Sequence, residues 1–131
     1  MALQGFIETV CVQTATYWGN PRGDGMGGML WDDPVELRVR WDNTTKLIRD
    51  AKGKEVAAQA EILLAGRLEN DRSLTLVDLQ VDGRLWLGSL DDLDSSQLAD
   101  PMQVDGAWPI IRFDKVPEFA STEDFVRTAY L

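Results

Sequence analysis

Between Pro34 and Trp41 the chain alternates strictly, with Val35, Leu37, Val39 and Trp41 facing one way and Glu36, Arg38 and Arg40 the other. A period of two is the mark of a half-buried strand. Residues 6–17 predict a second strand, rich in β-branched residues and closed by Tyr17 and Trp18. Residues 42–54 are polar and carry a turn signal at Ala51-Lys52-Gly53-Lys54. A third strand is expected from about Glu55 to Leu64. The run AAQAEILLAGRL also reads as helix on alanine and leucine propensity, but Gly66 and the polar residues after it cut it short, which favours the strand. Leu74–Leu79 and Arg84–Leu87 flank Asp82-Gly83, a dipeptide suited to a tight hairpin. Residues 91–101 hold four aspartates and are expected to supply one short helical turn. Residues 107–113 predict another strand, broken by Pro117 and Glu118, and FVRTAYL predicts a final edge strand. The expected fold is one domain over residues 1–131, mainly β. It is a small antiparallel β-barrel or sandwich with long loops and at most one short helix. The long loops are a glycine-rich loop at 19–30, a polar loop at 42–55 and an acidic loop at 91–106.

Composition narrows what such a domain can do. A chain of 131 residues can bury a real core. Its 13 basic and 22 acidic residues give a formal charge of −9, which repels phosphate backbones. Gripping DNA or RNA by charge is disfavoured, whereas passage alongside DNA is compatible with it. The chain has no histidine, so Ser-His-Asp and Cys-His catalysis and histidine metal sites are excluded. Its one cysteine, Cys11, cannot form an internal disulfide and is expected to be a small packed side chain. Met1–Gln13 lacks a basic segment followed by a long apolar one, and no run approaches the ~20 apolar residues of a membrane span. Neither a signal peptide nor a membrane contact is expected, and the sequon Asn43-Thr44-Thr45 is not expected to be glycosylated. No catalytic residue, cofactor or metal is assigned.

Two motifs overlap in WGNPRGDGMGGMLWDDP. GDGMGG satisfies G-x-G-x-x-G, but a dinucleotide turn must open a helix whose free N–H groups meet the pyrophosphate. Here Pro34 and an alternating strand follow instead. Arg22-Gly23-Asp24 is a bare RGD tripeptide in an acidic chain, and it reads as part of a surface loop. Asp91, Asp92, Asp94 and Asp100 offer carboxylates for a hard cation but lack EF-hand spacing, and a solvated acidic loop is the simpler reading. No carboxylate pair stands out for glycoside hydrolysis. Of the five tryptophans, Trp41 and Trp86 fall on apolar strand faces and are expected in the core. Trp18 and Trp31 bracket the glycine loop, either anchoring its ends or packing on a neighbouring subunit.

The order of these pieces resembles the head–tail connector proteins of long-tailed bacteriophages, in particular the stopper or head-completion class. The resemblance runs through DGMGGMLWDDP, the strand PVELRVRW, the polar excursion DNTTKLIRDAKGKEV, the stretch LQVDGRLWLGSL, IIRFDKVPEF and the terminal VRTAYL. It implies a small barrel forming a closed ring, six-fold in such proteins, at the head–tail junction of a virion assembled in the host cytoplasm. Partners would be further copies of itself, the adaptor and portal on one side, and tail-terminator or tail-tube proteins on the other. A loop after the second strand would project into the channel and touch DNA transiently and non-specifically. By position that loop holds Asn43, Thr44, Thr45, Lys46, Arg49, Asp50 and Lys52. Trp18, Trp31, Arg38, Arg40, Asp91, Asp92 and Asp94 are the expected interface residues. The residues after 91 exceed what a minimal stopper needs. A tail terminator or adaptor ring is the alternative in the same setting. A small ligand- or carbohydrate-binding barrel, assisted by calcium at the aspartates, is the alternative from another class.

Overall fold

The structure is a computed structural model that describes residues 11–50, 52–69, 74–75, 77–117 and 125–131. Part of the first expected strand, residues 6–10, lies outside them. The rest forms β1 (Gln13–Trp18). The alternating run forms β4 (Val35–Asp42), antiparallel to β1 with Ala15 opposite Leu37 and Gln13 opposite Val39. Between them, the glycine-rich segment holds a small hairpin of β2 (Arg22–Gly23) and β3 (Met29–Leu30). The segment expected as a polar loop at 42–55 contains most of a second hairpin, β5 (Lys46–Arg49) with β6 (Glu55–Ala58). The strand expected from Glu55 to Leu64 is therefore two strands. β7 (Glu61–Leu68) starts after a break at Gln59 and Ala60. That break is fixed by the far end of the chain: the Gln59 N–H donates to the Leu131 carbonyl and the Leu131 N–H to Ala60. The helical alternative for this stretch is not realised.

The main sheet has eight strands. Its path adds β9 (Arg84–Leu87), β10 (Trp108–Pro109), β11 (Arg112–Pro117) and β12 (Phe125–Tyr130), in the order β10-β9-β1-β4-β7-β12-β11. The short β8 (Leu74–Thr75) pairs with β7. Every pairing in the sheet is antiparallel. The expected hairpin across Asp82-Gly83 does not form. A turn is there, with Asp82 at φ 72°, but β9 pairs with β1 and β10 while β8 lies on β7. A Cβ on Gly83 would sit 2.8 Å from the Tyr17 ring and 2.9 Å from the Trp18 carbonyl oxygen, so only glycine lets the turn lie this close to β1. FVRTAYL is an interior strand, because β12 lies between β7 and β11. The strand expected at 107–113 splits at Ile110. The Ile110 N–H donates to Gly83 beside β9, and the next N–H, of Ile111, donates to Tyr130 of β12. Adjacent residues thus reach opposite ends of the sheet, which is how it curls into a barrel-like form.

Inside the curl, period two sets the core: Ala15, Tyr17, Leu37, Val39, Ile62, Leu64, Leu85, Ile110 and Ala129 form one buried cluster. Trp41 packs on it half-buried, as its face of β4 requires. Where β4 meets β7, Arg38 faces Gly66 but Val39 faces Leu64, leaving Ala65 as a bulge residue. The bulge turns Ala65 outward, where it packs with Cys11. Burial pushes the Cys11 thiol up to about 11, so it stays neutral, and its Sγ–H donates to the Leu63 carbonyl.

Residues 88–107 cover part of the outer face. They hold a 3-10 turn (Leu90–Asp92), the helix α1 (Ser95–Ala99) and a second 3-10 turn (Pro101–Gln103). Trp18, on the opposite face of β1 from Tyr17, is completely buried here among Val104 and Ala107, with Trp31, Trp86 and Leu93 packed round them. Its Nε1–H donates to the Leu98 carbonyl at 3.0 Å.

Candidate functional site

No helix follows GDGMGG, so its glycines serve a turn. At the tip of the β2–β3 hairpin, Gly25 and Gly27 take φ 82° and 88°, the left-handed region open to glycine. Asp24 Oδ1 accepts the Met26 and Gly28 N–H groups at 2.7 and 3.0 Å. These two bonds hold its carboxyl below the usual carboxylate range. At the hairpin base, the Arg22 guanidinium pairs with Asp32 at 3.0 Å. Both charged ends of the RGD tripeptide are therefore engaged in the hairpin itself.

The expected channel-loop residues fall into two groups. Asn43, Thr44 and Thr45 form the exposed approach: Asn43 Oδ1 accepts the Trp41 Nε1–H at 2.9 Å, and the Thr44 hydroxyl donates to Asp42. Lys46, Arg49, Asp50 and Lys52 belong to the β5–β6 hairpin. Asp50 Oδ1 accepts the Lys52 and Lys54 N–H groups, both at 2.9 Å, and Gly53 at φ 84° completes the turn. Arg49 Nη1 donates to the Gly53 carbonyl at 2.9 Å. The hairpin rests on the barrel through buried Ile48, through Arg112 Nη1 donating to the Arg49 carbonyl, and through Lys46. The Lys46 ammonium lies 3.8 Å from Glu61 and 5.6 Å from the centre of the Tyr130 ring. Four of the chain's 13 basic residues fall between positions 46 and 54. Among the described residues, Lys52 and Lys54 are exposed and have no ion-pair partner.

The expected interface residues do not form one patch. Trp18 is a correction: complete burial under residues 88–107 leaves it no surface for a partner. Trp31 is partly buried in the same cluster. Arg38 and Arg40 lie on the outer face of β4, where Arg38 Nη1 donates to the Val12 carbonyl and Arg40 is exposed beside Asp42, Glu61 and Thr128. Asp94 caps α1: its Oδ1 accepts the Gln97 N–H at 2.9 Å while Gln97 Oε1 accepts the Asp94 N–H, a capping box. Asp100 caps the next turn through the Met102 N–H. Asp91 and Asp92 stand exposed. No group of three or more His, Cys, Asp or Glu side chains among the described residues is placed to hold a metal ion.

Two larger concave regions lie among the described residues. A wide cleft of about 780 Å³ is lined by Tyr17, Asn20, Asp32, Arg67, Asp78 and Gln80, among others. Its polar groups are largely spent on one another: Tyr17 Oη accepts the Gln80 N–H, and Gln80 Oε1 accepts the Asn20 N–H. A smaller groove of about 390 Å³ is walled by Pro21, Met29, Trp31, Asp82, Arg84, Met102 and Pro109. Sequence reasoning did not find it, because its walls come from three separated stretches. Two side-chain donors in those walls, Trp31 Nε1 and Arg84 Nε, are shielded from solvent and have no hydrogen-bond partner among the described residues. Such an unmade bond costs about 1–3 kcal/mol. The chain matches no protein-family model, no curated protein and no solved structure.

Proposed function

We propose that this chain is a virion structural protein, a head–tail connector of the stopper or head-completion class. In this reading it forms a closed ring below the portal and adaptor, retains packaged DNA and docks the tail. No catalysis is part of it. The observation that carries it is the β5–β6 hairpin, which concentrates four basic residues on the surface of a chain whose net charge is −9. A conduit for DNA gains from an acidic wall that does not grip the duplex, since each phosphate neutralised adds affinity and slows passage. A few exposed cations at one place supply weak, sequence-independent contact. Lys52 and Lys54 beside the Asp50 turn fit that task, and the small barrel behind them supplies a rigid mount.

The experiment is particle assembly with the double variant Lys52→Glu, Lys54→Glu. Both side chains are exposed and have no ion-pair partner among the described residues, so the fold should stand. Particles should assemble and then lose packaged DNA to added nuclease faster than those with the original chain. Fully retained and protected DNA in the variant particles would remove the hairpin from the gate.

A further inference from the structure

We propose that the β5–β6 hairpin is a flap, which leaves and rejoins the barrel as one unit while the eight-stranded sheet stays folded, and that Arg112 is its latch. The inference concerns the hairpin's own motion and holds whether or not the chain forms a ring.

The hairpin is built to keep its own shape. Its pairs, from Lys46 opposite Ala58 to Arg49 opposite Glu55, form a sheet separate from the main one. The turn is closed from within: Asp50 Oδ1 accepts the Lys52 and Lys54 N–H groups, the Asp50 N–H donates to the Lys54 carbonyl, and Arg49 Nη1 donates to the Gly53 carbonyl. The core of the barrel is assembled without it. Ile48 and Ala58 are buried, but neither belongs to the core cluster that holds Ala15, Leu37 and Ile62. Among the described residues, no backbone hydrogen bond joins β5 or β6 to the main sheet.

Little holds the hairpin down. Beside the two buried side chains there is Lys46, whose pair with Glu61 at 3.8 Å is half exposed and so contributes little. The one hydrogen bond among the described residues from the main sheet to either strand is Arg112 Nη1 donating to the Arg49 carbonyl at 3.3 Å. Arg112 is held in place for it by Asp114, 2.8 Å from its Nε. Beyond Arg49 the two parts separate. Asp50 and Lys52 of the hairpin and Val81, Asp82 and Ile111 of the body line a cleft of about 240 Å³, room for several waters. The roots permit movement: Asn43, Thr44 and Thr45 are exposed, and Gln59 and Ala60 are pinned to Leu131, so a lifting hairpin does not pull on β7. A segment with few buried apolar contacts opens at a lower free energy than the core. In a DNA conduit such a flap would yield to the passing duplex and return.

The test is thiol labelling of the purified chain carrying Ile48→Cys, with and without Arg112→Ala. Circular dichroism with thermal melting confirms that both variants fold. The new thiol is covered until the hairpin lifts, while Cys11, buried in the barrel against Ala65, reports opening of the barrel in the same sample. Each rate is taken relative to that of the same thiol in the urea-unfolded chain, which removes their different reactivities. Lifting the flap exposes little surface. The new thiol should therefore react about a hundred-fold or more faster than Cys11, at a rate that hardly changes in dilute urea. Arg112→Ala should raise that rate about five-fold and leave the Cys11 rate unchanged, because one hydrogen bond is lost from the docked position alone. A new thiol that reacts only as slowly as Cys11, with the same steep urea dependence, would overturn the flap. A rate unmoved by Arg112→Ala would overturn the latch. Neither result bears on ring formation, which the mass of the assembled chain decides.

Discussion

Trp18 shows how one residue joins the two layers of this molecule. Its backbone extends β1, opposite Arg84 of β9, while its indole crosses to the outer face and donates to Leu98, 80 positions away. Replacing it with alanine removes that bond and leaves a void between the sheet and residues 88–107. Trp18→Ala should cost about 3–5 kcal/mol, read as a lower urea midpoint. Trp18→Phe keeps most of the volume and should lose far less, about 1–2 kcal/mol. The alternation of residues 13–18 predicts that Trp18 faces away from Tyr17. It carries no information about the cover over that face, because the cover comes from distant chain. Asp94 shows the same limit: its place three residues before Gln97 is a capping-box spacing, yet amid four aspartates it read as surface charge.

At the scale of elements, the β11–β12 pair is tied to the chain beyond β8 by Asp78. Its carboxylate accepts from Arg127 Nε at 2.7 Å and lies 3.2 Å from the Lys115 ammonium. The Arg127 bond, foremost, holds the Asp78 carboxyl below its ordinary value. A lowered carboxylate stabilises the fold above its unfolded value of about 3.9, and that contribution is lost as pH falls through the lower folded value. Asp78→Asn should therefore cost about 1 kcal/mol at neutral pH, limited because half of the Asp78 side chain reaches solvent. The difference between variant and original should shrink as pH falls through the lowered folded value, a comparison made by urea unfolding at neutral and at acid pH. Equal stability at neutral pH would mean that the pair contributes nothing. The strands themselves were legible where one face is apolar and the other polar, as in β4. β5 was not, because only Ile48 of its four residues is buried and no period of two shows, and β6 was legible only as the start of one longer strand. The turn at Asp82-Gly83 was legible while its pairing was not, because a turn reverses the chain without choosing its neighbours. β9 finds β1 and β10.

At the scale of the whole molecule, a curled sheet, an outer cover and two small hairpins carry an uneven charge. The basic residues of positions 46–54 sit on one hairpin, and the exposed Asp91 and Asp92 on the cover. The acidic excess and the lack of histidine were plain in the sequence. The groove was not, since β2–β3, β9 and the 101–109 stretch meet only through the fold. In the proposed ring these features would act together, with one patch of each subunit meeting a different patch of the next and the hairpins repeated about an axis. The most direct test is the mass of the purified chain by native mass spectrometry, alone and mixed with its adaptor and tail-side neighbours, with the particles imaged by electron microscopy. The expected result is a closed ring of one defined copy number, with a central opening wide enough for a DNA duplex. A chain that stays monomeric at every concentration and in every mixture would contradict it.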